Sequence, residues 1–338
     1  MSGLKDNAYT GDSKKRNPYE GDLDKGIAYD KYEANFPVIV QAGNFPEIST
    51  TYRQAARELV QYSSARNGQT VLDLGSGTGI STLELLQQKQ GIYVVGVEMS
   101  EGMLLVAKYK FHQNNGEELL AQVTDEKLLQ YWWDFRKESR NYRYKAEFLQ
   151  GDFQEVQNIA PESIYSAIGS QFMHWTDLSK SFKQLNRFLR TKGEVVWSSA
   201  SHFYNDAQFP AAKFGFRYND FLACVLDDVC HEGGFAANDY HSLSKPSYNL
   251  ESVKAITLEQ GFETEQIATH LREVDLQVFV QNHVPVFVRQ LVGTSKTEQE
   301  RLEEMIKKAV GRAIVNPKAL QDTTHKYDVI PIFRSVKR

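Results

Sequence analysis

Residues 69–98 read QTVLDL-GSGTG-ISTLELLQQ-KQGI-YVVGVE, and the order of these pieces decides the fold. Gln69–Leu74 is a short apolar run of strand length. The glycine loop Gly75–Gly79 follows, then a helical stretch, ISTLELLQQ, then a second apolar run, Tyr93–Glu98. Ser100 is placed to cap a further helix, EGMLLVAKYKFH. Strand–loop–helix–strand–helix is a βαβ unit. Apolar runs this continuous predict strands buried on both faces of a parallel sheet.

Outward from this unit the alternation continues. AEFLQGDF (Ala146–Phe153) and SIYSAIGSQF (Ser163–Phe172) read as two more buried strands. A helix is expected over Leu178–Leu189, stopped by Thr191-Lys192-Gly193, and a strand over Glu194–Ala200. Upstream, the spacing of Tyr52, Ala55, Leu59 and Val60 predicts a helix within Thr50–Ser64. The fold class expected is α/β, with a doubly wound, mostly parallel sheet and helical cap insertions. The closing YDVIPIFRSVKR reads as a last strand at the sheet edge, where Pro331 is tolerated.

These elements divide the chain. Residues 1–50 form an N-terminal arm or lid, and residues 51–200 the α/β core with a helical, aromatic insertion at 113–145. Residues 201–247 are a cap or lid insertion. Residues 248–338 complete the core sheet and carry a helical insertion at 277–325. Insertions at the carboxyl ends of parallel strands usually build the binding site. Residues 1–32 and 201–247 are expected to form a lid that orders on ligand binding. The aromatics of the first insertion, Tyr131, Trp132, Trp133, Phe135, Tyr142 and Tyr144, are expected to be mostly core.

Composition narrows the function classes. The 338 residues carry 39 Lys+Arg and 43 Asp+Glu, a net charge of −4, and 41% are apolar. A soluble globular enzyme fits, and a protein whose main task is gripping nucleic acid does not. Two cysteines, Cys224 and Cys230, exclude a disulfide scaffold and suit a reducing, cytoplasmic setting. With His231 they could seed a metal site, but no second ligand cluster lies near, so no metal is expected. The absence of any run of about 18 apolar residues predicts no membrane span. The first 26 residues lack the apolar core of a signal peptide. Oligomeric state is not legible.

The chemistry sits at the strand ends. Glycines at 75, 77 and 79 have the spacing GxGxG; the dinucleotide fingerprint GxGxxG would need a glycine where Ile80 stands. A plain tight turn explains one such loop. It does not explain Asp73 inside the preceding strand, where a carboxylate is costly to bury. Nor does it explain Glu98 at the end of the second strand, spaced to bond a ribose, or Asp152 between Gly151 and Phe153 after the third, spaced to meet an adenine.

VLDLGSGTG, VVGVEMS, FLQGDF, IYSAIGSQFMHW and LRTKGEVVW together resemble the ordered motifs of the class I S-adenosylmethionine-dependent methyltransferases, over roughly residues 65–200. The resemblance implies a seven-stranded sheet with a reversed last strand and S-adenosyl-L-methionine as cofactor. It implies that Gly75, Ser76, Gly77 and Gly79 lie beneath the methionine portion, with Asp73 near its amino group. Glu98 would hold the ribose and Met99 would pack on the adenine. Asp152 beside Gly151 would take the adenine amine, and Phe153 would flank the ring. Tyr29 of the arm and Ser170 and Gln171 after the fourth strand are further candidate cofactor contacts.

Met173-His174-Trp175 resembles the HW or QW signature of small-molecule carboxyl methyltransferases. That implies an oxygen acceptor, a carboxylate, with Trp175 facing it and His174 as the second catalytic candidate; a packing tryptophan and a stacking histidine are the plain alternatives. Among the histidines, His174 and His202, which follow strands four and five, are the best base candidates, and His231 and His241 rank below. The acceptor expected is a small or medium-sized acid, and the three insertions suggest one larger than a simple metabolite, such as a peptide or a natural-product intermediate. N-methylation, hydroxyl O-methylation and a catalytically silent cofactor-binding subunit are the rivals, and a dinucleotide dehydrogenase is disfavoured by Ile80.

Overall fold

The computed structural model describes residues 27, 30, 52–173, 176–199, 248, 250–273, 300, 301, 304, 305, 308 and 327–338. The expected arm 1–50 (Ile27 and Asp30 apart), the cap 201–247 and most of the insertion 277–325 lie outside these residues.

Seven strands form one sheet. They are β1 (Thr70–Leu74), β2 (Tyr93–Glu98), β3 (Ala146–Gln150), β4 (Ile164–Gly169), β5 (Leu189–Ser198), β6 (Phe262–Glu273) and β7 (Tyr327–Lys337). Their order is β3-β2-β1-β4-β5-β7-β6. β1 pairs in parallel with β2 on one side and β4 on the other, so the chain reverses its winding direction there. A crevice over the carboxyl ends of the strands opens at such a reversal.

The helices are α1 (Tyr52–Gln61), α2 (Ile80–Gln88), α3 (Glu101–Lys110), α4 (Glu117–Leu120), α5 (Glu126–Ser139), α6 (Leu178–Phe188) and α7 (Leu250–Glu259). α6 shows why the sequence folds this way. Asp177 caps its first turn by accepting from the Lys180 amide at 3.0 Å. Leu178, Phe182, Leu185 and Phe188 then fall on one buried face. Each such side chain removed from water stabilises the fold by roughly 1.5–3 kcal/mol. Phe182 meets Trp197 of β5 and Phe262 of β6 edge-on, with ring centres 6.0 and 5.1 Å apart.

Ser100 caps α3 as expected, its side chain accepting from the Met103 amide at 3.3 Å. Ser100→Ala should cost about 1 kcal/mol, read as a lower urea midpoint with an unchanged slope; an unchanged midpoint would dismiss the cap.

Two expectations are corrected. The C-terminal strand is antiparallel, as expected, but is not at the edge: β7 lies between β5 and β6, and β6 is the edge. Pro331 fits there because pairing with β5 ends at Ile332, one residue earlier on that side. Stacking of Phe333 on Trp197 at 4.4 Å and the Trp197 Nε1 bond to Ser335 Oγ at 3.1 Å hold β7 against β5.

The insertion 113–145, in turn, follows α3 and enters β3 at its amino end, so it does not rise from a strand's carboxyl end. It packs along α3 through Tyr109 and Trp132, with ring centres 5.7 Å apart. Trp132 and Phe135 are core, whereas Trp133 and Tyr144 are 62% and 79% exposed. Among the described residues no helix is long and apolar enough to cross a membrane.

Candidate functional site

The strand order sets the ends of β3, β2 and β1 side by side, and with them Asp152, Glu98 and Asp73. Glu98 faces Gln150 across β2–β3, while Asp73 faces Gly96 across β1–β2. The Gly151 amide donates to the Glu98 carbonyl at 3.0 Å and ties two of these ends together.

The glycine loop turns through left-handed backbone at Gly75, Gly77 and Gly79, with φ of 59°, 54° and 85°. Only glycine takes that conformation without strain. The first two glycines serve different ends. A Cβ at Gly75 would lie 2.1 Å from the Phe172 ring. A Cβ at Gly77 would meet nothing closer than 3.9 Å. Gly75 is therefore required by packing, whereas a Cβ at Gly77 would make only ordinary contacts, with the Gly75 carbonyl and Met103 Sδ at 3.9 Å.

Glu98 holds the loop in place. One carboxylate oxygen accepts from the Gly77 amide at 2.9 Å, the other from the Ser100 amide at 2.7 Å. Burial holds its carboxyl above the usual range, opposed by the amides of Ser100, Gly77 and Met99. Met99 itself is partly exposed. Ser76 is buried, and its hydroxyl has no partner among the described residues. It packs where β2 lacks a side chain, 2.8 Å from where a Gly96 Cβ would be.

Asp73 is fully buried. Its carboxylate accepts from Ser81 Oγ at 2.8 Å and Thr82 Oγ1 at 2.6 Å, both in the first turn of α2. Burial pushes its pKa from 3.8 to about 6; the two hydroxyls pull it down, and Glu98 nearby pushes it up further. Among the described residues neither Asp73 nor Glu98 has an ion-pair partner. Two buried carboxylates beside a glycine turn make a site that favours a positively charged ligand.

Asp152 is partly exposed, and its carboxylate accepts from the Gln154 amide at 2.9 Å and from the Gln154 side chain. Phe153 departs from expectation. It is 2% exposed and edge-on to Phe172 and Phe188, so its ring packs the core instead of flanking a ligand. Ser170 is partly buried, and Gln171 has left-handed backbone, with φ of 51°. The Gln171 amide donates to Ser198 Oγ of β5 at 3.0 Å, and its buried Nε2 has no partner among the described residues. Tyr29, His174, Trp175, His202, His231, His241, Cys224 and Cys230 lie outside the described residues.

One cluster was missed. Asp30 is completely buried and accepts from Thr78 of the glycine loop, Lys110 of α3 and Trp132 of α5. The only sequence signal was a polar residue inside the loop, Thr78.

Comparison with known proteins places this geometry. The family described as "Methyltransferase domain" matches residues 65–231. A probable S-adenosylmethionine-dependent methyltransferase of Saccharomyces cerevisiae, CRG1, is 24% identical over 165 residues, 47% of this chain and 46% of its own length. Phosphoethanolamine N-methyltransferase 2 of Caenorhabditis elegans is 20% identical over 186 residues, 54% of this chain and 36% of its own. The matched stretches thus span less than half of either relative. In structure, the Bacillus YcgJ protein superposes with a TM-score of 0.50 at 15% identity, covering 84% of this chain and 98% of that one. Residues 65–231 carry a class I methyltransferase domain whose cofactor is S-adenosylmethionine.

Proposed function

We propose that this chain transfers a methyl group from S-adenosylmethionine to an oxygen, a carboxylate, of a small or medium-sized acid. The observation that carries the cofactor half is the pair of buried carboxylates, Asp73 and Glu98, which have no ion-pair partner among the described residues and flank the glycine loop. When bound, the cofactor supplies an already activated methyl group on a cationic sulfonium. The chain's own task is binding, alignment and exclusion of water.

The residues present fit that group. The Gly75–Gly79 backbone offers close approach, and Asp73 and Glu98 offer charge for an ammonium and acceptors for a diol. Asp152, at the end of the neighbouring strand, offers an acceptor for an exocyclic amine. Gln171, with its buried amide nitrogen aside from other partners, offers a donor.

The carboxylate half rests on Met173-His174-Trp175 after β4. A carboxylic acid with a pKa near 4 is ionised at neutral pH and needs no general base. His174 then orients the acid together with the Trp175 indole N–H. An amine acceptor is the second reading, favoured by the N-methyltransferase among the relatives.

A screen of acids, amines and phenols with labelled cofactor should yield a product that releases methanol in mild alkali, as a methyl ester does. An alkali-stable product overturns the carboxylate. His174→Ala should keep substantial activity, whereas a loss of 10²–10⁴-fold, as for a general base, would indicate a hydroxyl acceptor.

A further inference from the structure

We propose that Asp30 is a positioning residue of the cofactor site. The inference rests on the cofactor assignment above. Asp30 and Lys110 are both 0% exposed, with Nζ and Oδ2 2.8 Å apart. The same carboxylate accepts from Thr78 Oγ1 at 2.6 Å and Trp132 Nε1 at 2.7 Å. Lys110 also donates to Thr78 Oγ1 at 3.3 Å, and its ammonium lies 4.0 Å from the centre of the Phe135 ring. Three residues upstream, Ile27 packs on the apolar cluster of Val106, Tyr109, Leu128 and Trp132. Ile27 and Asp30 therefore both bear on the seam between α3 and α5.

A buried ion pair is a costly way to hold two elements together, since apolar residues of equal volume do as well. What a carboxylate adds is direction. Its oxygens take up to four bonds, and here they reach three elements 48 to 102 residues away in the chain. One of them is Thr78, between Gly77 and Gly79, so the rotation of that part of the loop is set by whether Asp30 is seated. The preceding residue, Gly77, is held by Glu98 through its amide. The loop is thus gripped by one acid from the sheet and one from the N-terminal stretch. Seating of Asp30 and binding of cofactor then strengthen each other by the same factor.

Calorimetry with S-adenosylhomocysteine tests this on the full chain. Thr78→Val removes the hydroxyl at nearly constant shape, and Thr78→Ser restores it. Asp30→Asn removes the charge. Thr78→Val and Asp30→Asn should each weaken binding about tenfold or more, the usual size for a hydrogen bond to a charged group. The double variant should be no weaker than the worse single one, and Thr78→Ser should be near wild type. In turnover, KM for the cofactor should rise while kcat changes little. Variants that lose thermal stability yet bind within twofold of wild type overturn the proposal, as does additivity of the two substitutions. If Asp30→Asn fails to fold, the Thr78 pair alone decides. A wild type that binds no S-adenosylhomocysteine overturns the cofactor assignment and this proposal together. A wild type that binds beside unaffected variants overturns this proposal alone.

Discussion

Gly77→Val is expected to leave a folded protein that has lost its cofactor, whereas Gly75→Ala should damage the fold first. Both glycines have left-handed backbone, at φ 54° and 59°, so both substitutions carry the same kind of strain, about 1–2 kcal/mol. What differs is what the new side chain meets. At Gly77 the new Cβ would make only ordinary contacts, at 3.9 Å to the Gly75 carbonyl and Met103 Sδ, so the fold tolerates the valine while the loop gains bulk where close approach is needed. Displacing a ligand there by an ångström costs on the order of 100-fold in kcat/KM. At Gly75 the added carbon collides with Phe172, whose ring also packs on Phe153 in the core. Overpacking of that kind adds about 1–3 kcal/mol to the strain. Urea unfolding and calorimetry with S-adenosylhomocysteine on both variants separate the cases. Unchanged affinity in the folded Gly77→Val variant would mean that the loop is a turn and nothing more.

Asp73→Asn should stabilise the ligand-free protein at neutral pH and weaken its hold on the cofactor. The Asp73 pKa is raised from 3.8 to about 6, chiefly by burial. A raised carboxyl binds its proton more tightly when folded. The stability it contributes is full below about pH 4 and is lost as pH rises through about 6. Above that window the buried charge costs the fold about 3 kcal/mol, from roughly two pKa units at 1.36 kcal/mol each. Asparagine keeps the shape, and the Ser81 and Thr82 hydroxyls can turn to meet it. The difference in unfolding free energy between variant and wild type should therefore grow from pH 4 to pH 7. Parallel stability–pH curves, or a variant less stable at pH 7.5, would remove Asp73 as a site of stored strain. Affinity for S-adenosylmethionine should fall at the same time, because the charge that burdens the fold is one of the two proposed to favour a cationic ligand.

Much of the site could be read before any coordinates. A glycine loop between a strand and a helix leaves few backbone solutions, and acids at strand ends are chemically conspicuous. The structure accordingly sets Asp73 and Glu98 on adjacent strands and Asp152 just past the end of the third. Their bonds were less legible. Glu98 spends both oxygens on the amides of Gly77 and Ser100, and Asp73 turns toward the hydroxyls of α2. Phe153 follows Asp152 as an aromatic beside an adenine acceptor should, yet its ring goes to Phe188 and the core. Nothing local distinguishes those two directions, because the turn after β3 decides which way the side chain faces.

The sequence by itself determined the elements and their alternation. Strand and helix write their burial into periods of 2 and 3.6 residues, and caps and glycine loops act within a few positions. Tertiary structure alone decided which strands became neighbours and which charges met. β7 enters between β5 and β6 because Trp197, Phe333 and Ser335 fit each other across the sheet, a match that no repeat within either strand announces. Asp30, Thr78, Lys110 and Trp132 converge from separations of 48 to 102 residues. A lone aspartate, a threonine and a lysine carry no periodic signal, and burying them is favourable only once all four are in place, so only the folded chain could show that they belong together.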